Sequence, residues 1–228
     1  MGQKNELWKW FLPDIEMINN NQILCHRGFW DELSDQNSIK SFTLAFEHGF
    51  GIETDVRDYG SKLVISHDPP YQSDLMELSQ LLELYKRLCS QEIVLGINIK
   101  ADGLVDPIAA EIAHHGIENY FVFDMSIPEL LRYRDKGLNY FTRLSDYEIM
   151  PIEVENADGI WLDAFESDWF SPEELTDLGR PSRICIVSSE LHGRDHAEQW
   201  LKVKDYLLTY PQGMICTDEP LKAKEYFK

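Results

Sequence analysis

The side chains best suited to chemistry fall in two short runs and a pair. His26-Arg27-Gly28 closes one apolar run, Glu53-Thr54-Asp55 lies in the next, and His67-Asp68 follows twelve residues after Asp55. Carboxylates at i and i+2 of a strand point to the same face. Glu53 and Asp55 therefore suit a hard divalent cation held by oxygen ligands, Mg²⁺ or Ca²⁺. The alternative for them is a salt bridge with Arg57 or Lys62. An imidazole titrates near neutral pH, so one of His26 and His67 can act as base while the other acts as acid. Such a pair beside a cation fits acid/base work on a phosphate ester. The plainer alternative is two core histidines bonded to backbone.

The elements that must position these groups alternate along the chain. Apolar runs read as buried parallel strands at Ile23–Gly28, Gly51–Arg57 with Lys62–His67, and Ile93–Lys100. Further strands are expected at Tyr120–Asp124, Tyr140–Leu144, Gly159–Ala164, Arg183–Ser188 and Gly213–Thr217. Helical patterns lie between them at Ser38–His48, Leu75–Cys89, Val105–His115, Ile127–Lys136, Pro172–Leu178, Ala197–Leu208 and Leu221–Phe227. Asp146–Asn156 gives only a weak helix. Eight such units close most economically as a (β/α)8 barrel, an α/β fold of the TIM type. An open doubly wound sheet is the alternative, but its Gly-rich turn after the first strand is missing. Residues 1–22 read as a short helical extension packing on the barrel, and 23–228 as a single domain. In such barrels chemistry sits at the C-terminal strand ends, where all the polar residues named here fall.

Bulk composition narrows the partners. The chain has 228 residues, 43% of them hydrophobic, enough for one sizeable core. Its formal net charge of -19 and the lack of a basic stripe argue against nucleic acid and against stable association with an anionic membrane. Cys25, Cys89, Cys185 and Cys216 form no CxxC pair and read as free thiols in a reducing compartment. The N-terminus lacks a long apolar h-region, and no apolar run nears the ~20 residues of a membrane span. A cytoplasmic protein is expected. Trp8, Trp10 and Phe11 read as packing under the barrel or, alternatively, as a homo-oligomer contact.

Taken together, these runs resemble the glycerophosphodiester phosphodiesterase family, within the phospholipase-C-like phosphodiesterases. The family pattern is His-Arg-Gly, a Pro-Glu-Asn-Thr run with a helix, Glu-x-Asp and then His-Asp. Here it reads His26-Arg27-Gly28, Asp35-Gln36-Asn37-Ser38, Glu53-Thr54-Asp55 and His67-Asp68, with Thr217-Asp218 matching the usual last strand. Three departures stand out. The family's third strand, Ile-Glu-x-Lys, becomes Ile97-Asn98-Ile99-Lys100, with an amide in place of the third metal carboxylate. Gln36 replaces a glutamate. Only Pro69–Asp74 separates His67-Asp68 from the next expected helix, so the family's cap insertion is almost absent.

The resemblance implies metal-dependent hydrolysis of a phosphodiester of lipid metabolism, glycerophosphodiester-like or a sugar phosphodiester. It implies His26 and His67 as the acid/base pair, and Glu53, Asp55 and the amide oxygen of Asn98 as metal ligands. Arg27 and Lys100 carry over as phosphate contacts. Arg143, Asp163 and His192 are further substrate or phosphate candidates by their place at strand ends. Arg143 has a structural ion pair with Asp124 or Asp163 as its alternative. Asp124 is a possible carboxylate to offset the charge lost at Asn98. Two other readings remain: a non-catalytic phospho-ligand barrel, and an aldolase-like enzyme using Lys100 as a Schiff base. The short cap predicts an open site that prefers a soluble ester larger than the simplest glycerol diesters.

Overall fold

Apolar, β-branched and aromatic runs of four or five residues form most of the strands, as such residues pack well on a pleated surface. In the computed structural model, residues 18–71, 74–89, 92–171, 183–209 and 212–227 are described. The strands are β1 (Ile23–His26), β2 (Gly51–Tyr59), β3 (Lys62–Ile65), β4 (Leu95–Ile99) and β5 (Tyr120–Phe123). Then come β6 (Phe141–Ser145), β7 (Gly159–Asp163), β8 (Ile184–Val187) and β9 (Gly213–Thr217). Among the described residues the helices are α1 (Ile39–Glu47), α2 (Leu78–Leu88), α3 (Val105–His115), α4 (Ile127–Lys136), α5 (Ala197–Thr209) and α6 (Pro220–Tyr226).

Eight parallel strands run in the order β5-β4-β2-β1-β9-β8-β7-β6, and β3 folds back antiparallel on β2 outside that path. The ring is nearly closed. At the β5–β6 seam one bridge joins Val122 to Tyr140, with the Val122 amide donating to the Asn139 carbonyl at 3.0 Å. This is a TIM-barrel α/β fold.

Period-two alternation splits the core in two. Leu24, Phe121, Phe123, Phe141, Trp161, Cys185, Met214 and Cys216 fill the inside of the barrel. Their neighbours Cys25, Ile52, Ile97, Val122, Ile160, Ile184 and Ile215 face outward and pack with the helices. Inside, Phe121 stacks on Phe141 across the seam at 3.8 Å between centroids, and Phe123 stacks on Trp161 at 3.9 Å. Ring stacking thus holds together the two strands whose ladder is weakest.

Several boundaries differ from expectation. β1 ends at His26, because Arg27 and Gly28 turn to positive φ of 56° and 89°. A Cβ on Gly28 would lie 2.4 Å from Ser41 Oγ, so only glycine fits that turn. α2 starts at Leu78, three residues late, because Glu77 still bridges to Val64 as extended chain. The 146–156 stretch forms turns and bends with no helix, breaking the strand–helix alternation after β6. The expected helix at Pro172–Leu178 lies outside the described residues, as do Trp8, Trp10 and Phe11. Of the N-terminal extension, Ile18 is buried and Asn20–Gln22 make one 3-10 turn. Gln22 Nε2 ties that turn to the Gly213 carbonyl at 2.7 Å. No described helix is long and apolar enough to cross a membrane.

Phe141→Ala should cost about 3–5 kcal/mol, as it empties a core ring position and unstacks the seam. Urea unfolding of the variant measures this. A loss below ~1 kcal/mol would show that the seam does not depend on the stack.

Candidate active site

Strand register brings the first candidates together. His26 is paired with Glu53 across β1 and β2, and Asp55 with Asn98 across β2 and β4. Glu53, Asp55 and Asn98 are all buried. Beyond β1 the chain turns over them: the Arg27 amide donates to the Glu53 carbonyl at 2.9 Å and lies 3.4 Å from Glu53 Oε2.

Asp55, only 1% exposed, gathers most of the site around it. Its Oδ2 lies 3.1 Å from Arg27 Nε and accepts from Asn37 Nδ2 at 2.9 Å, while its Oδ1 lies 3.5 Å from Lys100 Nζ. Asn37 in turn accepts the Thr54 hydroxyl at 2.8 Å, and Gln36 accepts Arg27 Nη1 at 3.3 Å. Ser38 then caps α1, accepting the Ser41 amide at 3.2 Å. This is what the Asp35–Ser38 run does physically: it supplies partners to the buried carboxylate and starts a helix. Arg27, Asn37 and Asp124 all have positive φ, 56°, 54° and 70°. Such backbone persists only where surrounding contacts enforce it.

His26 has a carboxylate partner that the strand pattern alone did not single out. Its Nδ1 lies 2.8 Å from Asp218 Oδ1, just past the end of β9. An ionised carboxylate only accepts, so Nδ1 carries the proton and Nε2 is left with the lone pair. Burial lowers the His26 pKa, but the hydrogen bond to Asp218 and the charges of Glu53 and Asp218 outweigh it, and the pKa is raised. Glu53 is pushed up from 4.5 to about 7, by burial first and then by the Asp55 charge.

The remaining candidates form two further groups. Asp124 stands between Lys100 Nζ at 3.2 Å and Arg143 Nη1 at 2.8 Å, and Arg143 Nε also meets Glu148 at 2.7 Å. Asp124 is thus an ion-pair partner in the structure, and Glu148 enters the site from the turns after β6. Asp163, at the end of β7, meets His192 Nε2 at 2.5 Å, and Phe165 covers the His192 ring at 4.7 Å. His67 follows β3 at the same end of the barrel, where the Ser66 amide donates to the Asp55 carbonyl at 3.0 Å. Its imidazole bonds Asp68 at 2.9 Å and is 46% exposed, against 19% for His26.

Among the described residues, no group of three or more His, Cys, Asp and Glu side chains could hold a metal. The donor set changes once the amide is included. Asn98 Oδ1 is buried and has no hydrogen-bond partner. An orphaned buried acceptor costs about 1–3 kcal/mol, and a buried carboxylate repelled by its neighbour is costly as well. A divalent cation would offset both. By their chemistry Glu53, Asp55 and Asn98 are oxygen donors suited to such an ion, with Asp55 shared with Arg27, Asn37 and Lys100.

No family model and no curated protein matches this chain. Solved structures match across nearly its full length. The glycerophosphodiester phosphodiesterase of Agrobacterium tumefaciens is 17% identical, with a TM-score of 0.64 over 90% of this chain and 98% of that one. The enzyme of the same name from Thermotoga maritima is 22% identical, TM-score 0.60, over 90% and 97%. An Oleispira antarctica phosphodiesterase, solved with the product sn-glycerol-3-phosphate, is 15% identical, TM-score 0.65, over 90% and 96%. The fold is that of the glycerophosphodiester phosphodiesterases. At such identities the likeness speaks to fold, so the chemistry of this barrel rests on its own residues.

Glu53 holds its proton more tightly folded, to about pH 7, than at its ordinary value of 4.5. Between those values the folded state binds the extra proton, so stability falls as pH rises. His26, with its raised pKa, acts in the same direction: its contribution is present below pH 6.5 and fades above it. Metal-free protein should therefore lose stability from about pH 5 to about pH 8, with Glu53 accounting for on the order of 1–3 kcal/mol. Glu53→Gln should flatten the decline. Chemical denaturation at several pH values measures it, and an unchanged slope in the variant would exclude a protonated Glu53.

Proposed function

We propose that this chain is a phosphodiester hydrolase assisted by a divalent cation, Mg²⁺ or Ca²⁺, with His26 as its general base. The observation that carries this reading is the His26–Asp218 pair set beside buried Glu53, Asp55 and the orphaned Asn98 oxygen. Asp218 accepts the hydrogen bond of Nδ1–H, so Nε2 can take a proton from the attacking oxygen, and the carboxylate then stabilises the imidazolium. Arg27 and Lys100 stand against Asp55 and supply positive charge for the phosphate, Arg27 with a fork suited to two oxygens. His67, exposed at the same mouth, serves as the acid that protonates the leaving alcohol. A cation on Glu53, Asp55 and Asn98 would neutralise charge on the non-bridging oxygens. Arg143, Asp163 and His192 line the opposite strand ends and are assigned to the alcohol group. The attacking oxygen is water or a neighbouring hydroxyl of the substrate.

The substrate class is a glycerophosphodiester or sugar phosphodiester, in keeping with the glycerol phosphate bound by the Oleispira neighbour. All four cysteines are free and three are buried, which supports a reducing, cytoplasmic setting. One observation favours a second reading, a non-catalytic phospho-ligand barrel: Arg27, Lys100 and Arg143 are all already paired with acids.

Turnover of bis(4-nitrophenyl) phosphate, with and without chelator, separates the two. Chelation should abolish activity, and Mg²⁺ or Ca²⁺ should restore it. His26→Ala and His67→Ala should each lower kcat by ~10²–10⁴-fold with the fold intact. Chelator-insensitive turnover, or full activity in both variants, would refute the assignment. Binding of a phosphodiester without turnover would support the second reading. Asn98→Glu restores a carboxylate and should tighten Mg²⁺ or Ca²⁺ binding by calorimetry. Unchanged or weaker binding in a folded variant would remove Asn98 from the ligand set.

A further inference from the structure

The His26–Asp218 pair is itself held by a third residue. Glu190 lies on the 3-10 turn Ser189–His192 after β8, with its side chain 15% exposed. Its Oε1 accepts the Thr217 hydroxyl at 2.5 Å and the Asp218 amide at 3.2 Å. Its Oε2 accepts the Ser188 hydroxyl, which also accepts Trp200 Nε1 at 2.7 Å. The turn beneath is locked by buried Gln199, which accepts the Ser189 amide at 2.9 Å and donates to the Val187 carbonyl at 3.1 Å. Thr217 Oγ1 further accepts the Glu219 amide at 3.0 Å, so both residues flanking Asp218 are tied to the same network.

We infer that Glu190 is a positioning residue for His26, acting through the backbone of Asp218. It touches neither His26 nor any group assigned to substrate. What it fixes is the exit of β9: one carboxylate oxygen grips the side chain before Asp218 and the amide of Asp218 itself. Asp218 Oδ1 is thereby presented to His26 Nδ1 with little freedom to swing away. The carboxylate is satisfied by hydroxyls and an amide. His196 Nδ1 stands 3.9 Å from its Oε2, at the limit of an ion pair, while the shorter contacts all go to the hydroxyls and the amide, so its main service is geometry. An acceptor held by charge-assisted bonds is a strong anchor for such a turn. Losing an outer support of this kind costs about 10–100-fold in metal sites, while losing the orienting acid of a His–Asp pair costs up to ~10⁴.

This inference rests on the reading of His26 as the base, and the test is built to separate the two. On bis(4-nitrophenyl) phosphate with saturating Mg²⁺, Glu190→Ala should lower kcat ~10–100-fold and leave KM within about twofold. Glu190→Gln keeps an oxygen for Thr217 and Asp218 and should recover most of the rate. Glu190→Ala added to Asp218→Asn should cost little beyond Asp218→Asn alone, since both act on His26 orientation. ¹⁵N spectra of labelled histidine should show the Nδ1–H tautomer of His26 in the native protein and the Gln variant, and a mixture in Glu190→Ala. Multiplicative losses in the double variant, or an unaltered tautomer with native kcat in Glu190→Ala, would overturn the relay. If Glu190→Ala fails to fold, the Gln variant's rate and tautomer decide it: loss of either overturns the relay. Should His26→Ala keep full turnover, the acid/base reading fails. The tautomer spectra then decide, by themselves, whether Glu190 positions His26.

Discussion

One buried carboxylate organises the candidate-site end of this barrel. Asp55 is nearly sealed from water, where an unpaired carboxylate would be too costly to keep ionised. Its partners come from three separate places: Arg27 after β1, Asn37 before α1 and Lys100 after β4. Each is drawn in by the same need. Arg27 and Asn37 accept left-handed backbone to reach it, and the Arg27 turn demands glycine at position 28. The His-Arg-Gly run and the run before α1 are therefore one device, built around a carboxylate that neither contains. For Glu53, two residues earlier, burial and the Asp55 charge outweigh the charges of His26, Lys100 and Arg27, and its pKa rises to about 7. The proposed cation would compensate Glu53 and the unpartnered Asn98 oxygen.

Below this polar layer the barrel is filled with rings and sulfur-bearing side chains. Phe121, Phe123, Phe141, Trp161, Met214, Cys185 and Cys216 form an apolar floor beneath the site. Low polarity on one side strengthens every ion pair on the other. It also makes the site sensitive to which charges are present, since each unmatched group is felt in full. The stacked Phe121–Phe141 pair has a second role, holding the β5–β6 seam where Lys100, Asp124 and Arg143 bridge the strand ends above.

Much of this was legible in the sequence, and the limits have physical causes. The alternation of apolar runs with helical patterns specified the barrel, since buried parallel strands must be apolar on both faces. Glu53 and Asp55 were readable because i and i+2 on a strand share a face whatever the rest of the chain does. Asp218 was matched to the family's last strand, but its pairing with His26 and the role of Glu190 were not readable, because those partners lie 192 and 28 residues away and no local periodicity records such pairing. Asn37 sat inside a recognised run, yet its role depended on Asp55, 18 residues on. The weak helix expected at 146–156 failed for a local reason: its acids and apolar residues follow no sustained helical face, and Pro151 interrupts it. Glu148, which grips Arg143, emerged from those turns.

The two histidines proposed for catalysis differ in a way that suits different tasks. His26 is held on a strand, its Nδ1 bound to Asp218 and its neighbour Glu53 buried. A base that must face one attacking oxygen gains from such fixation, because orientation and tautomer are set before substrate arrives. His67 sits past a hairpin, its backbone pinned by Arg57 but its ring half in water beside exposed Asp68. An acid that protonates a leaving alcohol must recover its proton each turnover, and solvent contact supplies that directly. With only Pro69–Glu77 leading to α2, little of the described chain stands over His67. On the proposed chemistry, water exclusion at this mouth would fall to the substrate's own alcohol group. A bulkier group would shield the phosphate better, and would strengthen the contacts of Arg27 and Lys100 by removing water from around them.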